Sequence, residues 1–155
     1  LSYTPMNVLI NNKRATFDFE VLETFDAGVE LRGFEVKSVR NARGSLNGSR
    51  IVVRGGEAFL VGATISPYQP GNTPKSYDPE RPRRLLLTKK ELATLAGAER
   101  TKGLTIVPLS WYTAHGLLKL RLALVRGKKK NDKREVIKER ESKRETERLL
   151  KRMSD

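Results

Sequence analysis

The chain has 155 residues, 37% of them hydrophobic, which suits one modest core and a single folded domain. It carries 31 Lys and Arg against 18 Asp and Glu, a net charge of +13, and no Cys, so disulfides and thiolate metal ligands are excluded. No apolar run is long enough to span a bilayer. The lack of Cys fits a reducing compartment, and a cytoplasmic protein is expected. An excess of basic charge on a chain of this kind points to nucleic acid.

In chain order, Val8–Leu9–Ile10 form a short apolar run before Asn11–Asn12–Lys13–Arg14. Ala15, Phe17, Phe19 and Val21 then alternate with polar residues, the period of a strand with one buried face. Asp26–Ala27–Gly28 predicts a turn, and Val29–Glu30–Leu31 resumes the alternation. Beyond Gly33 the spacing of Phe34, Val36 and Val39 fits two turns of helix. Arg50–Arg54 and Glu57–Val61 flank Gly55–Gly56, a strong hairpin signal because both glycines accept positive φ. Residues 66–82 hold five of the seven prolines, and a loop of that length is expected to be functional or loosely ordered. Thr88 and Glu91 predict a capping box for a helix stopped at Gly97. Leu104–Tyr112 reads as a strand placed at an edge or a bulge by Pro108. After the turn at His115–Gly116, Leu118, Leu120, Leu122 and Leu124 face one way and Lys119 and Arg121 the other.

About six short strands, mostly antiparallel, with two or three short helices predict a mainly β fold: a closed antiparallel β-barrel of OB type over residues 1–126. Residues 127–155 form a separate basic tail. Between Gly127 and Arg152 there are 12 Lys or Arg and 6 Asp or Glu, with only Val136–Ile137 and Leu149–Leu150 as large aliphatics. A helix that docks on a core needs an apolar residue every three or four positions. Pairs such as Glu139–Lys143 favour helix by a few tenths of a kcal/mol at most, so the tail is expected to become helical when a polyanion meets it. A membrane partner is not expected, because this stretch lacks the Trp, Phe and Leu face of an interfacial helix.

For catalysis the chain offers little. His115 is the only His and sits in a predicted turn, no carboxylates converge on it at metal-ligand spacing, and no phosphate-binding glycine loop opens a helix. A non-enzyme without cofactor or metal is expected. Arg81, Arg83, Arg84, Lys89, Lys90, Lys119 and Arg121 offer contacts to backbone phosphates, a salt-dependent interaction. With few aromatics, recognition of a folded RNA by shape and phosphate contacts is the better expectation than a stacking platform for single strands.

Several stretches in order resemble the SmpB family, the bacterial SsrA-binding proteins that partner transfer-messenger RNA. They are Asn12–Ala15, Phe25–Gly28, Leu31–Arg40, Gly56–Leu60, Arg84–Leu87, Arg126–Lys129, Asp132–Arg134 and Ile137–Arg140. The resemblance implies an OB-type barrel and an adaptor in trans-translation. Such an adaptor binds the tRNA-like domain of transfer-messenger RNA and delivers it to stalled ribosomes, with the tail in the decoding centre and message channel. Elongation factor Tu and alanyl-tRNA synthetase would be met through the RNA, and the protein would act as a monomer. By motif match the RNA-facing set includes Asn12, Lys13, Asp26, Leu86 and Lys119, joined by the basic Arg14, Arg84, Arg121 and Arg126. The tail residues implied to face the ribosome are Lys128, Lys129, Lys130, Asp132, Lys133, Arg134, Lys138 and Arg140. The chain departs from the family pattern at Asp26, where Glu is usual, and at Ala42, Ser45 and Arg50. Asn131 and Ser142 stand where the family often has an aromatic. Two other readings stay open: a different OB-fold ribosomal or tRNA-binding protein, and a small nuclease built on His115.

Overall fold

The computed structural model describes residues 6–127, 140 and 144–149. Over residues 7–127 nine strands and three α-helices follow one another: β1 (Asn7–Asn11), α1 (Lys13–Asp18), β2 (Phe19–Val29), α2 (Gly33–Arg40), β3 (Gly44–Ser45), β4 (Arg50–Arg54), β5 (Glu57–Val61), β6 (Thr64–Ile65), β7 (Arg83–Leu86), α3 (Lys89–Glu99), β8 (Leu104–Ala114) and β9 (Leu117–Gly127); the described tail residues 140 and 144–149 are helical as well, with no polyanion present. Seven strands make one antiparallel sheet in the order β1-β8-β9-β2-β7-β5-β4, and β3 pairs with β6 apart from it.

The expected closed barrel is corrected here. The sheet curls until β4 packs against β8, yet no ladder joins its two ends. Closure would need a vacant edge on β8, and both are taken, one by β1 and the other by β9. The strands are also more numerous and less even than the six expected.

Two tight turns set the register. Gly55 (φ 59°) and Gly56 (φ 75°) give the left-handed pair that matches the twist of a two-residue hairpin between β4 and β5. His115 (φ 51°) and Gly116 (φ 72°) do the same between β8 and β9, with His in a conformation it tolerates better than most residues. The concave side of the sheet holds the core, with Trp111, Leu120, Leu122, Leu60 and Ile106 almost wholly buried and α3 sealing it through Leu95. A smaller cluster lies on the other face, where Ala15 of α1 packs on Val107, Ala123 and Val125.

The proline-rich loop 66–82 is tied to the body by a buried charge. Glu35 of α2 and Arg83 of β7 are both fully buried, joined at 2.8 Å between Arg83 Nη2 and Glu35 Oε2 and at 3.0 Å from Arg83 Nε. Arg81 adds a bond of 3.1 Å from its Nε, and Tyr77 donates its hydroxyl to Glu35 at 3.2 Å and to the Ile65 carbonyl at 2.8 Å. Arg83 Nη1 also reaches the Ala63 carbonyl at 2.9 Å. Burial opposes the charged carboxylate, but the bonds from Arg81, the Arg32 backbone N–H and Arg83 outweigh it, and the Glu35 carboxyl lies below its ordinary value. Arg83 is therefore a structural cation out of reach of any phosphate, contrary to the expectation from its place among the basic residues.

Candidate nucleic-acid interface

Residue alternation decides what the convex face of the sheet presents. Trp111, Leu120, Ala27 and Leu85 point into the core. Their neighbours Tyr112, Lys119, Arg121, Asp26, Gly28 and Leu86 therefore point out. Register brings these onto adjacent strands: Tyr112 opposite Lys119, Asp26 opposite Arg121, and Gly28 opposite Leu86. Asp26–Ala27–Gly28 thus lies within an 11-residue strand, near its C-terminal end, and is not the turn expected from its composition.

Asp26, Arg84, Leu86 and Lys119 line one groove of about 590 Å³, together with Gly28, Glu57, Lys89 and Glu91. Gly28 has an ordinary extended backbone, and its value lies in what it leaves out: a Cβ there would stand 3.3 Å from both Cβ and Cδ1 of Leu86. Leu86 remains 48% exposed, a large aliphatic side chain set among charges. Arg84 is balanced by two carboxylates, Glu30 at 2.8 Å and Glu57 at 3.2 Å. Among the described residues Lys119 and Lys89 make no ion pair, so the uncompensated positive charge of the groove belongs to them.

Asp26 is held from the side. The Tyr112 hydroxyl donates to Asp26 Oδ1 at 2.7 Å and Arg121 Nε donates to the same oxygen at 3.1 Å. The Arg121 guanidinium also stands over the Tyr112 ring, 5.3 Å from its centroid. Burial, then the hydrogen bond to Asp26 and its negative charge, push the Tyr112 phenol up to about 12, so it remains a donor at neutral pH.

The other expected residues sit elsewhere. Asn12 is buried and donates its side-chain amide to the Pro108 carbonyl at 2.8 Å, pinning α1 to the bulge in β8. Beside it Lys13, Thr16, Leu109 and the tail residue Arg140 line a hollow of about 410 Å³, with the Arg140 guanidinium 6.0 Å from the Phe17 ring centroid. Arg14 lines a third hollow with Asp18, Asn47 and Arg50, and Arg126 lies 3.8 Å from Glu20. Lys128, Lys129, Lys130, Asp132, Lys133, Arg134 and Lys138 lie outside the described residues. Sequence reasoning missed Tyr112 as the partner of Asp26. Its place beside the buried Trp111 on an alternating strand was the available signal.

The described residues hold no cluster of His, Asp and Glu fit for a metal ion, and no helix among them is long and apolar enough to cross a membrane. The groove and the sheet define a β-sheet module with a binding face that mixes free cations, one anchored carboxylate and an exposed leucine. The chain belongs to the SmpB family, whose model, described as SmpB protein, matches residues 9–152. It is 46% identical over 148 residues to the SsrA-binding protein of Alkalilimnicola ehrlichii, covering 96% of this chain and 92% of that one. The SsrA-binding protein of Thermosipho africanus is also 46% identical over 148 residues, covering 95% and 99%. A solved chain from "tmRNA-SmpB: a journey to the center of the bacterial ribosome" matches with a TM-score of 0.65 at 41% identity, covering 83% of this chain and 93% of that chain.

Proposed function

We propose that this chain is an RNA-binding adaptor of trans-translation in the cytoplasm, without chemistry of its own. It binds the tRNA-like domain of transfer-messenger RNA and carries that RNA to ribosomes stalled on messages without a stop codon. A folded sheet over residues 1–126 holds the RNA, and the basic tail of residues 127–155 acts in the decoding centre and message channel. Elongation factor Tu and alanyl-tRNA synthetase are met through the RNA. Family membership over residues 9–152 supports this reading, as do relatives that are SsrA-binding proteins. The observation that carries it is the convergence of Asp26, Arg84, Leu86 and Lys119, four residues of the expected RNA-facing set, in one groove.

Lys119 and Lys89 supply the phosphate contacts, and each contact made releases counterions, so affinity falls as salt rises. Pull-down from a bacterial lysate with the full chain, followed by sequencing of the bound RNA, should recover transfer-messenger RNA above all other species. Recovery of ordinary tRNA in its place would assign the chain to general tRNA binding. Lys119→Ala should weaken the complex and flatten the slope of log affinity against log salt by about one unit.

A further inference from the structure

A second concentration of positive charge lies on α2, away from the groove. The inner face of this helix buries Glu35, Ser38 and Val39, which leaves Lys37 and Arg40, one turn apart, on its outer face, with Arg43 just beyond its end. Ala42 directs the chain there. It takes the left-handed conformation (φ 56°) that closes a helix, with its own N–H on the Val39 carbonyl at 2.9 Å and the Arg43 N–H on the Ser38 carbonyl at 2.9 Å. Alanine holds this conformation only where its surroundings impose it. Ser66 fixes the facing loop, donating its N–H to the Arg43 carbonyl at 3.1 Å and accepting from Ser38 Oγ at 2.6 Å. Arg43 Nη1 then donates to the Tyr68 carbonyl at 3.1 Å, with the guanidinium 5.7 Å from the centroid of the half-buried Tyr68 ring. Arg40 Nη2 donates to the Gly116 carbonyl, in the turn between β8 and β9, at 3.0 Å. Each guanidinium is thus anchored by one N–H, and among the described residues its other N–H groups have no acceptor. Nor does any carboxylate among the described residues pair with Lys37, Arg40 or Arg43. The C-terminal end of a helix carries about half a negative charge, too little to balance three cations.

We propose that this outer face of α2, with Arg43 held on Tyr68, is a second RNA-binding surface, and that it takes the sugar–phosphate backbone of ribosomal RNA while the groove holds the tRNA-like domain. This rests on the adaptor reading given above. Guanidiniums fixed in plane with unused donors suit phosphate oxygens, which a planar fork meets two at a time. Cations gathered over residues 37–43 also repel one another, and a polyanion relieves that repulsion. The contact is made to backbone and not to base edges, so it is blind to sequence. Topology separates this surface from the groove. α2 packs on β1 and β6, and β8 and β9 stand between β1 and β2 in the sheet, whereas the groove is lined from β2, β7 and β9. An adaptor has two clients, and a cationic face apart from the groove is placed for the second of them.

The chain has no Cys, so Lys37→Cys can carry a single iron chelate that cuts neighbouring RNA strands through hydroxyl radicals. In a complex of the full-length protein, an RNA fragment carrying the tRNA-like domain and bacterial ribosomes, the cuts should fall in ribosomal RNA and not in the fragment. Affinity is measured across a salt series, for the fragment alone and for ribosomes titrated with the preformed complex. Lys37→Gln and Arg43→Gln should each leave affinity for the fragment unchanged, which also reports an intact fold. Each should weaken ribosome binding about five- to tenfold at about 0.1 M salt and flatten the slope of log affinity against log salt by about one unit, the double variant by about two. Lys102→Gln, the same change of charge on the exposed turn before β8, should leave that slope where it is. Cuts in the fragment, a fall in fragment affinity, an unchanged ribosome slope in the double variant, or an equal change in Lys102→Gln would each overturn the proposal while wild-type binding to the fragment stands. Failure of the wild-type protein to bind the fragment would remove the parent reading and this one with it.

Discussion

Glu35 is the residue on which most of the loop between β6 and β7 depends. Its carboxylate is fully buried and is shared by Arg83, Arg81 and Tyr77. Removing one partner of such a pair leaves the other charged in a dry site, so Glu35→Ala should cost about 3–5 kcal/mol in urea unfolding. Glu35→Leu combined with Arg83→Met should recover much of that, because the uncompensated cation is gone. The fold holds the Glu35 carboxyl below its ordinary value. Its stabilisation is therefore present above the unfolded carboxylate pKa and is lost as pH falls through the folded one. Acid should destabilise the wild type more steeply than the Leu–Met variant, and parallel urea titrations at neutral and acid pH check this. Tyr112 behaves in the opposite sense. Its phenol is raised to about 12, so its contribution is intact below the unfolded value of about 10 and is lost as pH rises through the folded one. Ultraviolet titration of the four tyrosines should lose its most alkaline ionisation in Tyr112→Phe.

At the scale of elements, local chemistry that depends on neighbours in sequence was legible. The Gly55–Gly56 hairpin, the helix after Gly33 and the capping box at Thr88 all follow from residues within four positions of one another. Thr88 Oγ1 accepts from the Glu91 backbone N–H at 3.2 Å while Glu91 Oε1 accepts from the Thr88 N–H at 3.0 Å. Thr88→Ala should cost about 1 kcal/mol of stability, read from the urea midpoint, since α3 seals the core through Leu95 and cannot be released cheaply. The strand expected from Ala15 and the helix stop expected at Gly97 were misread. Ala15, Phe17 and Phe19 alternate like a strand, yet Ala15 and Phe19 are also four apart and face the second cluster from α1 and its end. A helix of 6 residues is too short for the two periods to be separated by pattern. Gly97 does not stop α3, which continues to Glu99, where the carboxylate takes the Val53 backbone N–H at 2.6 Å and pairs with Arg54. Of the two placements expected for Pro108, edge or bulge, the structure has the bulge: Pro108 lies on an inner strand at a register shift, and its carbonyl accepts from Asn12.

At the scale of the whole molecule, the residues of the groove could be named from the sequence, but their company could not. Asp26, Leu86 and Lys119 lie on three strands brought together only by register, and Asn12, expected with them, serves the bulge in β8 through its side chain. Closure of the barrel was likewise beyond local pattern, because it depends on which strand claims the free edge of β8. The same topology separates stability from tail function. The last ladder pair, Phe19 with Gly127, ends β9, and among the described residues the core clusters contain none beyond that point. Among the described residues Arg140 of the tail stands over Phe17 and lines the hollow with Lys13 and Leu109. An exposed cation–π contact is worth about 0.5–1 kcal/mol, against about 5–15 kcal/mol for the stability of a domain. Truncation after Gly127 should therefore leave the thermal midpoint within a few degrees of wild type by the usual size scaling. The groove is untouched by this cut, so affinity for the tRNA-like fragment should be retained at moderate salt. Tagging of nascent chains on stalled ribosomes should be abolished, because the proposed work of the tail is done there. A truncated protein that unfolds, or that tags as well as the full chain, would overturn this division between a folded sheet that holds RNA and a basic tail that acts on the ribosome.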